Sequence, residues 1–375
     1  MLIAVIGGKL QGVEAVYLAK KAGYRTVVID KTPHVPVAGL CDQFLEFEFS
    51  LDNPSPLTDL KIDIILPAVE DETVLFLVKK WAEVKNIPLG FDTAAYDISN
   101  SKIKSNTLFH KMNLPIPESW PGCRFPVVVK PDQASGSHGV KIIDNPAALF
   151  SLSPDPQPSG SMIIQEFLDG PSCSIEVIGR PGSYHALQVT DLWMDKNYDC
   201  KKVTAPTQLS KSQISRFKKM AIGIAEEIRL TGIMDLEVIL HKNKLKLLEI
   251  DARFPSQTPM TVYWSTGINM VEMLVHMILD QKINPEANHE QAALVEHIEV
   301  NGSKIEFSGE HIMALDGPLK RKTKFFGANE AVTSFRENRS HWVATMIFTG
   351  NSQKEIRSKR AACYQKIIAQ TQNIS

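Results

Sequence analysis

The run Lys246-Leu-Leu-Glu-Ile-Asp-Ala-Arg253 carries two carboxylates two residues apart at the end of an apolar stretch. On a strand, that spacing points Glu249 and Asp251 to one face, which Arg253 shares if the strand continues. Asp235 and Glu237 show the same alternation on a preceding apolar run. If the two runs pair antiparallel, three carboxylates meet. Such a group repels itself unless a cation neutralises it, and oxygen ligands of this kind suit Mg²⁺. Either pair alone reads equally well as alternating charge on a solvent-facing strand, and whether Asp235 or Glu237 completes the set stays open.

Two lysines stand upstream. Lys102 opens a helical segment that ends at Asn113-Leu-Pro, and Lys130 ends the apolar run Phe125-Pro-Val-Val-Val-Lys130. An ammonium at the end of a buried strand is costly unless it reaches an anion or water. Lys130 is followed by Gln133-Ala-Ser-Gly-Ser-His-Gly139. Small residues and glycines in a turn between strands can fold over a polyphosphate and present backbone N–H groups to it. Farther on, the strand-like Ile163-Ile-Gln-Glu-Phe-Leu168 could offer backbone groups to an adenine edge.

At the start of the chain, Gly7-Gly-Lys-Leu-Gln-Gly12 lies between a strand-like and a helix-like run. Glycines there let a backbone approach an anion at a helix amino end. The spacing is GGxxxG rather than GxGxxG, but Asp30 stands where a ribose-binding acid is expected. On these features alone a dinucleotide-dependent oxidoreductase competes, although it leaves Lys130 and the Glu249/Asp251 pair without a role. Glu70, Asp71 and Glu72 follow another strand-like run, at the carboxyl edge of the sheet where ligands collect. Acids there suit an ammonium-bearing substrate, or simply the first turn of the next helix.

The elements that must position these groups alternate in kind. Leu2 to Ile6, Arg25 to Asp30 and Ile62 to Leu66 read as strands separated by helices, which predicts a parallel α/β layer over residues 1–95. Residues 96–290 hold further strands near Val127, Val140, Met162, Ser174, Met234 and Lys244, with a helix over about Gln213 to Arg229. Residues 291–375 read as β-rich, closing in a basic helix near Gln353 to Gln370, and Ser151 to Ser161 reads as an exposed loop. With 41 Lys+Arg against 42 Asp+Glu, the net charge of −1 gives no reason to expect nucleic acid or an anionic membrane as partner. Five scattered cysteines without CxxC spacing, after an opening apolar run of only five residues, predict reduced thiols in a cytoplasmic protein with no transmembrane helix.

The order of Lys102, Lys130, the small-residue turn, Glu166-Phe-Leu and Glu249-Ile-Asp-Ala-Arg253 resembles the ATP-grasp carboxylate–amine ligases, whose fold is preceded by a Rossmann-like domain. The resemblance implies an ATP-dependent enzyme using Mg²⁺. Lys102 and Lys130 would bind ATP phosphates under the turn Ser135, Gly136 and Ser137, while Glu166, Phe167 and Leu168 would border adenine. Glu237, Glu249 and Asp251 would bind the metal, and Arg253, with Lys130, would act at the transferring group. Two positions depart from the family's pattern: Asp251 stands where an asparagine is usual, and Ser172 where an acid usually holds the ribose. Four stretches are similar to the branch of the family that couples an ornithine-type acid to L-lysine in pyrrolysine biosynthesis: Gly7–Gly12, Pro67–Glu72, Gly170–Glu176 and Arg253–Thr258. This similarity implies that Gln11, Gly12 and Glu70 lie near L-lysine. Ser174, Glu176, Asp235, Arg253, Ser256, Gln257 and Thr258 would hold the ornithine-type acid.

Overall fold

A computed structural model of the chain describes residues 1–133, 136–152, 162–337 and 339–372, side chains of 371 and 372 excepted. The amino-terminal layer is a four-stranded parallel sheet in the order Gln43–Glu46, Arg25–Asp30, Leu2–Ile6, Ile64–Pro67. The helices Leu10–Lys21 and Glu72–Lys85 cover it, as the alternation predicted. Asp71 caps the second helix by accepting from Val74 N, so the bland reading of that acid holds. Gly7 takes φ +102°, and a Cβ there would lie 2.4 Å from the Ala68 carbonyl oxygen. A Cβ on Gly12 would lie 2.2 Å from the Gly7 carbonyl oxygen, so this approach of strand, turn and helix tolerates no side chain.

Asp30 meets the same turn. Its carboxylate accepts from Gly8 N at 2.7 Å and from Thr32 N at 2.8 Å, so it fixes the turn instead of awaiting a ribose.

Beyond the short helices Thr93–Ser99 and Lys102–Lys111 comes a three-stranded antiparallel sheet in the order Lys141–Ile143, Val127–Pro131, Met162–Glu166. The loop expected over 151–161 begins as the last turn of the helix Pro146–Leu152, and its remainder lies outside the described residues. A ten-stranded antiparallel sheet follows. It runs Lys244–Asp251, Gly232–His241, Ser172–Arg180, Ser183–Met194, Cys200–Ala205, and then onward through Ala292–Asn301 and His341–Gly350 into the carboxyl-terminal strands. The amphipathic helix Lys211–Glu227 starts at a capping box made by Ser210 and Gln213. It buries Phe217, Ala221, Ile224 and Ala225 against this sheet, where each large apolar side chain contributes about 1.5–3 kcal/mol.

Register on the sheet sets the chemistry. Glu237 faces Glu249 and Asp235 faces Asp251 across one strand pair, while Glu237 faces Ser174 and Asp235 faces Glu176 across the next. Two rows therefore run side by side over three strands, Ser174–Glu237–Glu249 and Glu176–Asp235–Asp251. Glu237 pairs with Glu249 but Val238 with Leu247, which makes Leu248 an extra residue. This bulge turns Lys246, opposite Ile239, onto the face that carries Glu249 and Asp251; strict alternation would send it to the other side. Among the described residues, no helix is long and apolar enough to cross a membrane.

Replacing Asp30 by Ala leaves the Gly8 and Thr32 N–H groups without their acceptor. The expected loss is about 1–2 kcal/mol of stability, read as a lower urea midpoint at unchanged slope. An unaltered midpoint would show that the turn does not depend on this carboxylate.

Candidate functional site

A cavity of about 1100 Å³ lies between the carboxyl edge of the parallel sheet, the helix beginning at Lys102 and the large antiparallel sheet. Its wall brings together Gln11, Glu70, Lys102, Gly136, Ser137, Ser174, Asp235, Glu237, Glu249, Asp251, Arg253, Ser256, Gln257 and Thr258. Gly12, Lys130 and Glu176 lie behind that wall, and Glu166, Phe167 and Leu168 do not line it. Ser135 lies outside the described residues.

At one end the two lysines converge from separate elements. Ser101 caps the helix of Lys102 and also donates to the Asp132 carboxylate at 3.0 Å, which joins the helix to the end of the strand bearing Lys130. Lys102 Nζ approaches Glu249 Oε2 at 3.9 Å. Lys130 is buried, and its pKa is lowered by that burial and by Lys102, against the attraction of Glu249 and Glu237. Glu237 in turn is pushed up to about 8 by burial and by the facing Glu249, with Asp251 and Glu310 adding to it. Even with the two lysines nearby the buried pair is short of positive charge, a deficit that a hard divalent cation would relieve.

The expected three-carboxylate cluster is split. Asp251 Oδ2 lies 2.7 Å from Arg253 Nη2, and the same Nη2 lies 2.7 Å from Glu70 Oε1. Among the described residues no three His, Cys, Asp or Glu side chains form a ready-made metal site. Mg²⁺ does not demand one, because it usually takes one or two carboxylates together with substrate phosphates. Glu237 and Glu249 suit that requirement, and Asp251 Oδ1 is buried without a hydrogen-bond partner. Asp251 rises to about 6, because burial outweighs the opposing pull of Arg253.

The small-residue turn lies across the cavity. Gly136 takes φ +57° with no room for a Cβ beside the His311 ring, and Ser137 Oγ donates to the Tyr198 carbonyl at 2.8 Å. His311 is held by Asp199 at 2.8 Å. Nothing in the residue pattern pointed to His311, because it lies far along the chain in a segment without a motif. At the opposite edge the Glu166 carboxylate accepts from Glu118 N at 3.3 Å and faces Lys246 at 3.6 Å. The bulge at Leu248 makes that meeting possible.

The second row of acids forms a chamber around Arg253. Gln11 Nε2 donates to Glu70 at 3.1 Å, so the first helix feels the state of the Arg253 clamp. The Arg253 guanidinium is buried; burial alone would lower its pKa, but Asp251, Glu70 and Asp235 overcome this and keep it charged. Its Nε, like Ser174 Oγ and Glu176 Oε2, is buried without a partner. Burial pushes Glu176 up to about 7 even though Thr258 donates to it. Asp235 stands well above the usual carboxylate range, through burial and the facing Asp251. Orphaned donors and acceptors around one cavity mark a place where a polar ligand completes the hydrogen bonding.

Two further acids enter here. Glu310, from the short helix Glu310–Ala314, accepts from Ser256 Oγ and Gln257 Nε2 at 3.0 Å each. Glu14, on the first helix, accepts from Met260 N at 3.0 Å. Glu14 was detectable as a charge within an apolar helical face; Glu310 carried no such signal.

An ATP-grasp domain model matches residues 99–257. The chain is 34% identical over 367 residues to a 3-methyl-D-ornithine–L-lysine ligase of Methanosarcina acetivorans, covering 96% of this chain and 95% of that one. It is 33% identical to the enzyme of the same name from Methanosarcina barkeri, with 96% and 95% covered. Among solved structures, the biotin carboxylase domain of the Hydrogenobacter thermophilus 2-oxoglutarate carboxylase, crystallised with MgADP and bicarbonate, aligns with a TM-score of 0.72 at 13% identity. That alignment covers 96% of this chain and 89% of the other. With its lysine pair, overlying turn and facing carboxylates, the chain belongs to the ATP-grasp family of ATP-dependent carboxylate–amine ligases.

Proposed function

We propose that this enzyme activates the carboxylate of 3-methyl-D-ornithine, or a close ornithine-type acid, with ATP and joins it to the side-chain amine of L-lysine, the amide-forming step of pyrrolysine biosynthesis. The observation that carries this reading is the acid-lined chamber around one buried arginine. Glu70, Asp235 and Asp251 surround Arg253, with Glu176 facing Asp235 on the next strand, which suits substrates that each carry ammonium groups and one of which presents a carboxylate. The Methanosarcina relatives support the same pair of substrates by name.

In the first step a carboxylate oxygen of the ornithine-type acid forms a bond to the γ-phosphorus of ATP. The bridging bond to the β-phosphate breaks, and ADP leaves behind an acyl phosphate. Lys102 and Lys130 neutralise the phosphates, the turn at Gly136 and Ser137 covers them, and Glu166–Leu168 border the adenine. Glu237, Glu249 and Asp251 would hold Mg²⁺, which when bound screens the phosphate charge. Arg253 orients the reacting carboxylate; Ser174, Glu176 and the Ser256–Thr258 segment grip the rest of that acid. Gln11 and Glu70 face the lysine, with Gly12 giving the turn beneath Gln11 its close fit. In the second step the lysine amine attacks the acyl carbon, the C–N bond forms and phosphate leaves. At neutral pH only about one in a thousand such amines is unprotonated, so a base is required. Asp235 lies in the cavity wall, whereas Glu176 sits behind Thr258, which makes Asp235 the better-placed base.

Incubation with ATP, Mg²⁺, D-ornithine or its 3-methyl form, and L-lysine should yield the lysine Nε-amide by mass spectrometry, with one ADP per amide. ADP release without any such amide across a panel of diamino acids would reject the substrate pair and leave the ligase class intact. Glu249→Gln should reduce ATP turnover at least a hundredfold, and near-normal ADP release would remove Glu249 from the metal site.

Glu237 is raised from 4.5 to about 8, so the folded state holds its proton more tightly than the unfolded chain does. Metal-free protein should therefore lose stability as pH rises across that interval. Mg²⁺ with ADP must displace the same proton. Calorimetry in buffers of different ionisation enthalpy should detect about one proton released at pH 7, fading above about pH 8 and absent in Glu237→Gln. Equal release from both proteins would assign the proton elsewhere.

A further inference from the structure

We propose that Glu310 is a specificity-determining residue of this site and binds the side-chain ammonium of the ornithine-type acid. This inference rests on the substrate reading given above. Glu310 lies in the cavity wall at 4% exposure, on an element of the carboxyl-terminal part that faces the sheet's rows of acids. Both of its close partners, Ser256 and Gln257, belong to the segment that follows Arg253, and both donate to the same oxygen, Oε1. They orient the carboxylate without neutralising it.

The charge around it is unbalanced. Glu14, Glu176 and Glu310 come from the first helix, the large sheet and the carboxyl-terminal helix; Glu14 feels the charge of both others. Among the described residues, no lysine or arginine forms an ion pair with any of the three. The nearby cations are committed elsewhere: Arg253 to Glu70 and Asp251, Lys102 to Glu249. Among the described residues, Glu14, Glu176 and Glu310 do not form a group that could hold a metal ion. An organic ammonium is larger, forms several hydrogen bonds and does not need such convergence.

A second observation points to a ligand at the same place. Ser174 lines the cavity at 1% exposure with its Oγ unpartnered, and fully buried Glu176 leaves Oε2 unpartnered. Ser174 Oγ faces the cavity, and a polar ligand there completes its hydrogen bonding. With its carboxylate at Arg253, an ornithine-type chain extends along the Ser256–Thr258 segment, and Glu310 stands beside that segment to receive the terminal ammonium. A charge-assisted contact of this kind favours an acid with a terminal amine over the same chain without one.

The test compares D-ornithine with D-norvaline, which lacks only the terminal amine, the latter measured as alternative substrate or competitor. Glu310→Gln keeps an oxygen that Ser256 and Gln257 can reach, so the chamber's shape is preserved. The KM for D-ornithine should rise at least tenfold with kcat changed less than threefold, while the constant for D-norvaline stays within threefold. Glu310→Asp, which keeps the charge, should retain most of the preference for D-ornithine. Equal weakening of both ligands in Glu310→Gln would show a merely structural role, and unchanged discrimination would place the ammonium elsewhere; either outcome overturns the proposal. If the wild-type protein forms no ornithine–lysine amide, the substrate reading itself fails, a result separate from any effect of Glu310.

Discussion

Carboxylates facing one another without enough positive charge between them are the constraint on which this molecule is organised. Glu237 opposite Glu249 and Asp235 opposite Asp251 would be costly neighbours on any isolated sheet. Here the cost is partly relieved by Lys102, Lys130 and Arg253, each delivered by a different element, and partly by protons, as the raised carboxyl pKa values show. What remains is an excess of negative charge, divided between the row of Glu237 and Glu249 and the row of Glu176, Asp235 and Asp251. The charge left over favours cationic ligands, and the acids that carry it stand on regular strands.

That arrangement depends on small irregularities as much as on regular strands. The extra residue at Leu248 places Lys246 and the acids on one face, so one strand meets Glu166 at one end and the facing carboxylates at the other. Glycines at positions 7 and 12 allow the first helix to press against the sheet, which brings Gln11 to Glu70 and so to Arg253. Asp30 illustrates how one position can deceive. An acid at the end of the second strand is a nucleotide signature in dehydrogenases, yet here it closes its own turn by accepting two backbone N–H groups.

Much of this was legible in the residues alone. The parallel layer, the strands of the lysine and carboxylate motifs and the helix Lys211–Glu227 follow from apolar periodicity and capping, which are local. That the strands of Asp235/Glu237 and Glu249/Asp251 pair antiparallel followed from the short connection between them, but the facing of Glu237 with Glu249 depends on the bulge at Leu248, which strict alternation does not give. Other features needed the tertiary structure. The strand Ser183–Met194 is buried continuously over Val189 to Leu192, so its pattern there loses the alternation that marks a strand. The split of Asp251 from the other acids depends on where Arg253 turns after the strand ends, and Glu310 reaches the site from more than fifty residues away in sequence. Such long-range placement leaves no local spacing to read.

The strand Cys200–Ala205 pairs on one side with Ser183–Met194 and on the other with Ala292–Asn301, so the floor of the chamber and the carboxyl-terminal strands form one unbroken ladder. Swinging these parts against each other would break backbone bonds in a row. The small three-stranded sheet with Lys130 is hydrogen-bonded to a separate set of partners and carries the turn that meets Tyr198 and His311. The mechanical consequence is a vice with one fixed jaw. The small sheet could shift against the large one without breaking that ladder, whereas the rows of acids on the large sheet are held in register by it.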